Sequence, residues 1–197
     1  MDQFLTLLVT VFRCLLGPRD ANVWDGTHYK FKTKLWDRDR HGQLLSSRIP
    51  SYIDVSLVKF FIQTRMSVVV RKHGWVPIVL SSVQMRAQPL IPRGELTVHT
   101  QVKGWQDQYV EIWHTWSDQE GKEVLRSIYL TRVTHSGPEK VTGADMLEAL
   151  GLPVVDRPLS QAATRQLSEY LKIKEANRQA QPLPDNYAGA LELNKHI

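Results

Sequence analysis

Between Pro50 and Lys72 the sequence runs through Ile53, Val55, Leu57, Val58, Phe60, Phe61, Ile62, Met66, Val68, Val69 and Val70. Wound at 3.6 residues per turn, these side chains cover most of a helix circumference. Ser56, Lys59, Gln63, Ser67 and Arg71 form the one consistent polar stripe. A helix of this kind is stable only if other structure wraps it on most sides. Pro50 suits a first helical turn and His73-Gly74 suits a stop, so the spacing predicts one long helix between them. The β-branched run Val68-Val69-Val70 is its weakest helical stretch.

The flanking segments have the period of strands. From His28 to Trp36, Tyr29, Phe31, Thr33 and Leu35 fall on one face, and His28, Lys30, Lys32 and Lys34 on the other. The lysine row is a solvated face or a guarded edge. Ile78 to Ala87 is a second strand, stopped by Pro89 and Pro92. Glu95 to Val102 is a third, with Leu96, Val98 and Val102 opposing Glu95, Thr97, His99 and Gln101. Gln108 to Trp116 and Glu123 to Val133 pair across the turn Asp118-Gln119-Glu120-Gly121. A strand, a buried helix and an antiparallel meander make an α+β chain with the helix against a curved sheet. Gly143 to Leu150 reads as a short helix, Gln161 to Gln179 as a polar helix, and Gln181 to Ile197 as a loose tail. The organisation expected is an N-terminal helix over 1–18, a central domain over 19–136, and a C-terminal extension over 137–197.

At 197 residues and 42% hydrophobic content the chain can bury a full core. One cysteine, Cys14, excludes an intrachain disulfide framework and a cysteine-based zinc cluster, and fits a reducing, cytoplasmic location. His99 and His114 lack metal-ligand spacing with any His or carboxylate, so no metal or cofactor is expected. The net charge of +5 is spread along the chain without a nucleic-acid motif. It suits an anionic small molecule or an anionic membrane surface as well as plain solubility.

Phe4 to Leu16 is almost wholly apolar but shorter than the ~20 residues of a spanning helix, and it lacks a basic leader. Gln3, Thr6, Thr10 and Arg13 recur at helical spacing as a narrow polar stripe. The segment either packs on its own domain or a partner subunit, or makes a peripheral membrane contact. Gly17-Pro18 closes it.

The chemistry is expected in the polar loop from Asp37 to Tyr52. It joins the first strand to the buried helix and holds Asp37, Asp39, His41, Gln43, Ser46 and Ser47. Hydrolytic chemistry needs an activated water or carboxylate nucleophile, and donors aimed at the oxygen on which charge develops. The start of a helix supplies such donors. Asp37 and Asp39 can also pair with Arg38, Arg40 or Arg48, or cap a turn, and Ser46 and Ser47 can serve as caps.

Asp37-Arg38-Asp39, Gly42 and Arg48-Ile49-Pro50-Ser51-Tyr52 resemble the loop and helix start of acyl-CoA thioesterases of the 4-hydroxybenzoyl-CoA type, which have the hotdog fold. Val102-Lys103-Gly104-Trp105-Gln106-Asp107-Gln108-Tyr109 resembles the Gly-Trp-Asp-Asp stretch of the proteins called thioesterase superfamily member six. The resemblance spans about residues 25 to 135. It implies an antiparallel sheet wrapped around one long helix, at least a homodimer, and hydrolysis of acyl-CoA or acyl carrier protein thioesters.

Residue by residue it implies Asp39 as base or nucleophile, Gln43 orienting water where the family has histidine, and Asp54 as the rival base on the helix. Gly42, Ser46, Ser47, Arg48, Tyr52 and Arg86 are the implied substrate-binding residues. Arg86, Arg93 and Arg132 carry the charge that coenzyme A phosphates need. Two family asparagines are Leu45 and Ser46 here. Those departures favour an alternative, a catalytically degenerate hotdog protein that binds acyl chains or acts as a scaffold.

Overall fold

The computed structural model describes residues 2–87, 94–135 and 140–180. Pro89, Pro92, Arg93, Gly137-Pro138 and the tail 181–197 lie outside the described residues. Its elements are α1 (Asp2–Leu16), β1 (Thr27–Lys32), α2 (Ile49–Gln63), α3 (Met66–His73), β2 (Trp75–Arg86), β3 (Glu95–Gln106), β4 (Tyr109–Ser117), β5 (Glu123–His135), α4 (Gly143–Ala149) and α5 (Gln161–Ala180). Short 3-10 turns at Leu35–Asp37 and Ser46–Arg48 punctuate the loop before α2.

The strands form one antiparallel sheet in the order β1-β3-β4-β5-β2. The meander β3-β4-β5 lies at its centre, β1 flanks β3, and β2 is the edge beyond β5. α2 lies across the inner face, where Ile49, Ile53 and Phe60 meet Leu96, Val98, Val102, Val110, Ile112, Trp116 and Leu125. Each such aliphatic or aromatic side chain, fully withdrawn from water, contributes about 1.5–3 kcal/mol.

Several expectations change. The long helix is two helices. Arg65 takes a left-handed conformation, φ 62°, and separates α2 from α3. No Gly or Pro marks this break. Thr64 donates its hydroxyl back to the Phe60 carbonyl at 2.7 Å, and Arg65 Nε donates to the Arg19 carbonyl at 2.8 Å. Those contacts hold a backbone state that costs roughly 1–2 kcal/mol for a residue with a Cβ. Second, the first strand ends at Lys32, and Leu35, assigned to its buried face, is 84% exposed. Third, Ser56, read as part of the solvent stripe, is fully buried. It shares a hydrogen bond with Thr100 Oγ1 at 2.6 Å.

α1 packs on α2. Its inner side carries Thr10 and Cys14, both buried, and Thr10 shares a hydrogen bond with the Tyr29 phenol. Thr10 of the expected polar stripe therefore points inward. Leu8, Val9, Phe12 and Leu16 face outward instead.

A polar thread crosses the core. From Ser56 on α2 it passes through Thr100 on β3 to His114 on β4, whose Nδ1 lies 2.9 Å from Thr100 Oγ1. His114 is fully buried, its Nε2 has no partner among the described residues, and burial pushes its pKa down to about 3. The folded state thus holds it neutral, while the unfolded chain takes up a proton below its ordinary value of 6.5. Its contribution to stability is full above that value and is lost as pH falls toward about 3. His114→Gln is expected to flatten the fall of melting temperature over that window. A slope as steep as that of the unsubstituted protein would assign the acid sensitivity to other groups.

Candidate active site

The loop from Thr33 to Arg48 is organised by Asp37, for which the sequence suggested pairing with a neighbouring arginine or capping a turn. Its carboxylate is buried. Oδ2 accepts the Lys34 amide at 3.1 Å and the Tyr52 hydroxyl, and Oδ1 lies 3.5 Å from Arg48 Nε. Its carbonyl accepts the Leu45 amide at 2.9 Å. Asp37 thereby ties the start of the loop to its end and to the first turn of α2. Burial and then the Asp37 carboxylate push the Tyr52 pKa upward, so the phenol stays a donor. The Tyr52 ring stacks on Phe31 with centroids 4.0 Å apart and meets Trp116 edge-on. Tyr52 and Arg48 are therefore engaged in holding the loop.

Asp39 occupies the tip. Its Oδ1 accepts the His41 amide at 2.8 Å and the Gln43 amide at 2.9 Å. Its own backbone closes the turn with Gln43 and Gly42. Gly42, at φ 77°, has the left-handed backbone this reversal demands, and its carbonyl accepts Arg38 Nη1 at 2.5 Å. The amides of Gln43 and then His41 hold the Asp39 carboxyl below its ordinary pKa. Gln43 Oε1 is buried without a partner among the described residues.

Arg86, at the far end of β2, reaches this loop. Its Nη2 donates to Ser46 Oγ at 2.8 Å. The amide of Ile49 bonds the Ser46 carbonyl and Pro50 has no amide hydrogen, so the 3-10 turn continues into α2. The backbone amides of Ser46 and Ser47, at the head of that combined stack, have no backbone acceptor among the described residues. Two amides, two hydroxyls and a guanidinium therefore sit together on the surface, a set of donors suited to an anionic oxygen. Arg132, the other described arginine of the charge argument, lies on β5 within the sheet.

Asp54 stands apart from this loop, one turn into α2. It makes no hydrogen bond or ion pair among the described residues. The residue is exposed on the helix, yet its surroundings partly desolvate the carboxylate and push its pKa up. Its charge in turn helps to raise the pKa of Tyr129 on β5, after burial. Leu57 and Phe61 follow Asp54 at helical spacing on one stripe, and both line an apolar cavity of about 70 Å³ between helix and sheet. Ile112, Thr131, Val133, Val79 and Met146 close it. Thr131 is two residues beyond Tyr129 on the same sheet face. Asp54 and Tyr129 are thus sequence neighbours, on α2 and β5, of residues that line the cavity, without lining it themselves. No combination of three His, Cys, Asp or Glu side chains among the described residues could hold a metal ion.

The Gly-Trp motif has a structural task. A Cβ on Gly104 would stand 2.5 Å from the Pro158 carbonyl oxygen. The Trp105 amide and indole donate to the carbonyls of Arg157 and Val155, at 2.8 and 3.0 Å. The motif fastens the C-terminal extension to the end of β3.

No family model and no curated protein matches the chain. Solved structures do. The YbaW probable thioesterase from Escherichia coli aligns with TM-score 0.56 and 11% identity over 62% of this chain and 95% of its own. The 4-hydroxybenzoyl-CoA thioesterase from Pseudomonas sp. strain CBS-3 aligns with TM-score 0.52 and 18% identity over 64% of this chain and 99% of its own. A gentisyl-coenzyme A thioesterase gives 0.51 and 13% over 64% and 99%. At such identities the likeness speaks to backbone arrangement alone. With an antiparallel five-stranded sheet lying against α2, this chain has the hotdog fold of those thioesterases.

Proposed function

We propose that this chain hydrolyses acyl thioesters of coenzyme A or acyl carrier protein, with Asp54 as general base. The observation that carries this is the partly desolvated carboxylate of Asp54, one helical turn before Leu57, which with Phe61 lines the apolar cavity between α2 and the sheet. An acyl chain seated against Leu57, Phe61 and Ile112 would bring its thioester carbonyl toward Asp54. Asp54 takes a proton from water as the water oxygen attacks the carbonyl carbon. The tetrahedral intermediate then collapses, the C–S bond breaks, and the proton passes to the departing thiolate.

A base works best with its pKa raised toward the working pH. Asp39 is shifted the other way, and one of its oxygens already serves two amides. This moves the base from Asp39, which the loop resemblance favours, to Asp54, and gives Asp39 the task of shaping the loop. Ser46, Ser47 and Arg86 bind the carrier's phosphate. Gln43 orients a water or the thioester through its unpartnered carbonyl. Gly42, Arg48 and Tyr52 keep those donors in place. A solved structure with the same fold is a 4-hydroxybenzoyl-CoA thioesterase mutant complexed with 4-hydroxybenzoyl-CoA, which supports a coenzyme A thioester as the substrate class.

A homodimer is part of this proposal. β2 is a twelve-residue edge strand with Val76, Ile78, Val79, Val83 and Met85 all exposed. An edge of that length and character invites strand pairing. Val79 also lines the cavity, so pairing there would cover the site's open flank. A second contact, with a lipid surface, is supported by the outward row Leu8, Val9, Phe12 and Leu16 on α1. No helix among the described residues is long and apolar enough to cross a membrane.

Asp54→Asn is expected to lower kcat by ~10²–10⁴ with little change in melting temperature. Asp39→Asn, which keeps the accepting oxygen, should cost much less, with Gln43→Ala between them. The raised pKa of Asp54 places the acid limb of kcat/KM above the ordinary carboxylate value of 3.8, with activity lost as pH falls through it. Dominance of Asp39→Asn would return the base to the loop. Undetectable thiol release across short, long and aromatic acyl-CoAs, with acyl binding retained, would leave the degenerate binding protein.

Sedimentation at micromolar concentration is expected to show a dimer, and Val79→Lys, an inward charge on the edge strand, a shift to monomer. A monomer without any substitution would refute the pairing. For the lipid contact, Phe12→Glu with Leu16→Glu should abolish flotation with anionic vesicles while melting stays unchanged. Undiminished flotation would show that α1 is not the contact.

A further inference from the structure

The C-terminal extension crosses the outer face of the sheet, the face that α2 does not use. Beyond its anchor on Trp105, it is fixed by Glu111 on β4, a fully buried carboxylate. Glu111 Oε2 accepts the Ser160 amide at 2.8 Å, and Oε1 accepts the Ser160 hydroxyl at 2.6 Å and the Trp113 indole at 2.5 Å. Ser160 Oγ in turn accepts the Ala163 amide at 3.2 Å and caps α5. From that point Ala163 and Leu167 pack on Tyr109 and Leu130, on β4 and β5. Ser81 on β2 then donates to Gln166 Oε1 at 2.6 Å, and Tyr170 joins the same cluster beside Leu80. The helix therefore passes over β4, β5 and β2 in turn and reaches the free edge of the sheet by Tyr170.

It does not stop there. Residues 171–180 continue the helix, and 171–179 are all exposed. Ten residues extend about 15 Å, roughly the width of three strands. At 100° per residue, Lys174 continues the sheet-facing line of Ala163, Leu167 and Tyr170, with Leu171 and Ile173 on its flanks. Leu171 is 43% and Ile173 61% exposed. The adjoining edge strand has its own uncovered outer row. Val83 and Met85 pair with Ile128 and Arg126 on β5, and Arg126 stacks on Trp113 beside Glu111, which fixes that row to the outer face. Val83 is 39% and Met85 42% exposed.

We propose that the second half of α5 docks on the outer face of a second copy of this chain paired along β2. This rests on the β2 pairing put forward above. Strand pairing would place the second copy's β2 and β5 in the space beneath residues 171–180. Two-fold symmetry makes the exchange reciprocal, each arm passing from its own Ser81 onto the other copy. Leu171 and Ile173 would then lose their water against the outer row of the second copy or its α5. The same contact would close over two edge strands that strand pairing by itself leaves open on that side.

The test uses the full chain. Leu171→Asp with Ile173→Asp is expected to raise the dimer dissociation constant at least tenfold by sedimentation equilibrium, with the near-ultraviolet spectrum of the monomer unchanged. A photoreactive phenylalanine at position 173, in dimers mixed from light and heavy-isotope chains, should cross-link between chains, onto β2 or α5. Suppose the protein is a dimer that Val79→Lys dissociates. Indifference to the Leu171 and Ile173 substitutions, or cross-links only within one chain, would then overturn the arm and leave strand pairing standing. A protein that is monomeric without substitution would overturn both.

Discussion

α2 carries buried side chains on more than one side, and the need to cover them organises the molecule. Ile49, Ile53 and Phe60 are withdrawn from water entirely, and Val55 and Ile62 nearly so, although they point in different directions around the helix. One sheet face cannot cover all of them. The inner face takes one side, and α1 packs against another. The polar groups on the helix must find partners within that enclosure, because an unmade hydrogen bond in a core costs about 1–3 kcal/mol. Ser56 finds Thr100, and Lys59 donates to the His28 carbonyl at 2.6 Å. His114 Nε2 is left without one among the described residues.

The same enclosure positions the polar loop. α2 enters the core at Ile49, so the chain before it must turn sharply at the sheet edge. Asp37 makes that turn rigid by collecting Lys34, Arg48 and Tyr52 around one buried carboxylate. Around that hub the tip residue Asp39 shapes backbone, and the donors of Ser46, Ser47 and Arg86 are left facing outward. Two aspartates two residues apart thus do different work. One is buried beneath Tyr52 and the other is on the surface.

The two faces of the sheet divide the tasks. The inner face carries α2, the cavity and Asp54. The outer face carries the extension, held by the Trp105 amide and indole and by the carboxylate of Glu111. Both meet at β2. Its inner side closes the cavity through Val79, and its outer side is crossed by α5 at Ser81. Edge, cavity and helix converge on one strand, so a change in its pairing reaches both faces.

Periodicity alone was enough for much of the fold. The apolar run after Pro50, the alternation in β3 and the Asp118–Gly121 turn are local signals, governed by which side chains face which way along one segment. The left-handed Arg65 was not legible, because no residue type there demands it and the contact with the Arg19 carbonyl is remote in sequence. Nor were the inward turns of Ser56 and Thr10, since a short hydroxyl is stripe or core according to whether Thr100 or Tyr29 stands opposite. For the site, the sequence determined where the chemistry-bearing residues lie along the chain: two aspartates in a loop, one on a helix, an arginine near the end of a strand. Only the tertiary structure decided which aspartate is buried, which caps a turn and which is partly desolvated on the helix. Burial, partners and pKa are properties of the space around a carboxylate, and distant segments of the chain build that space.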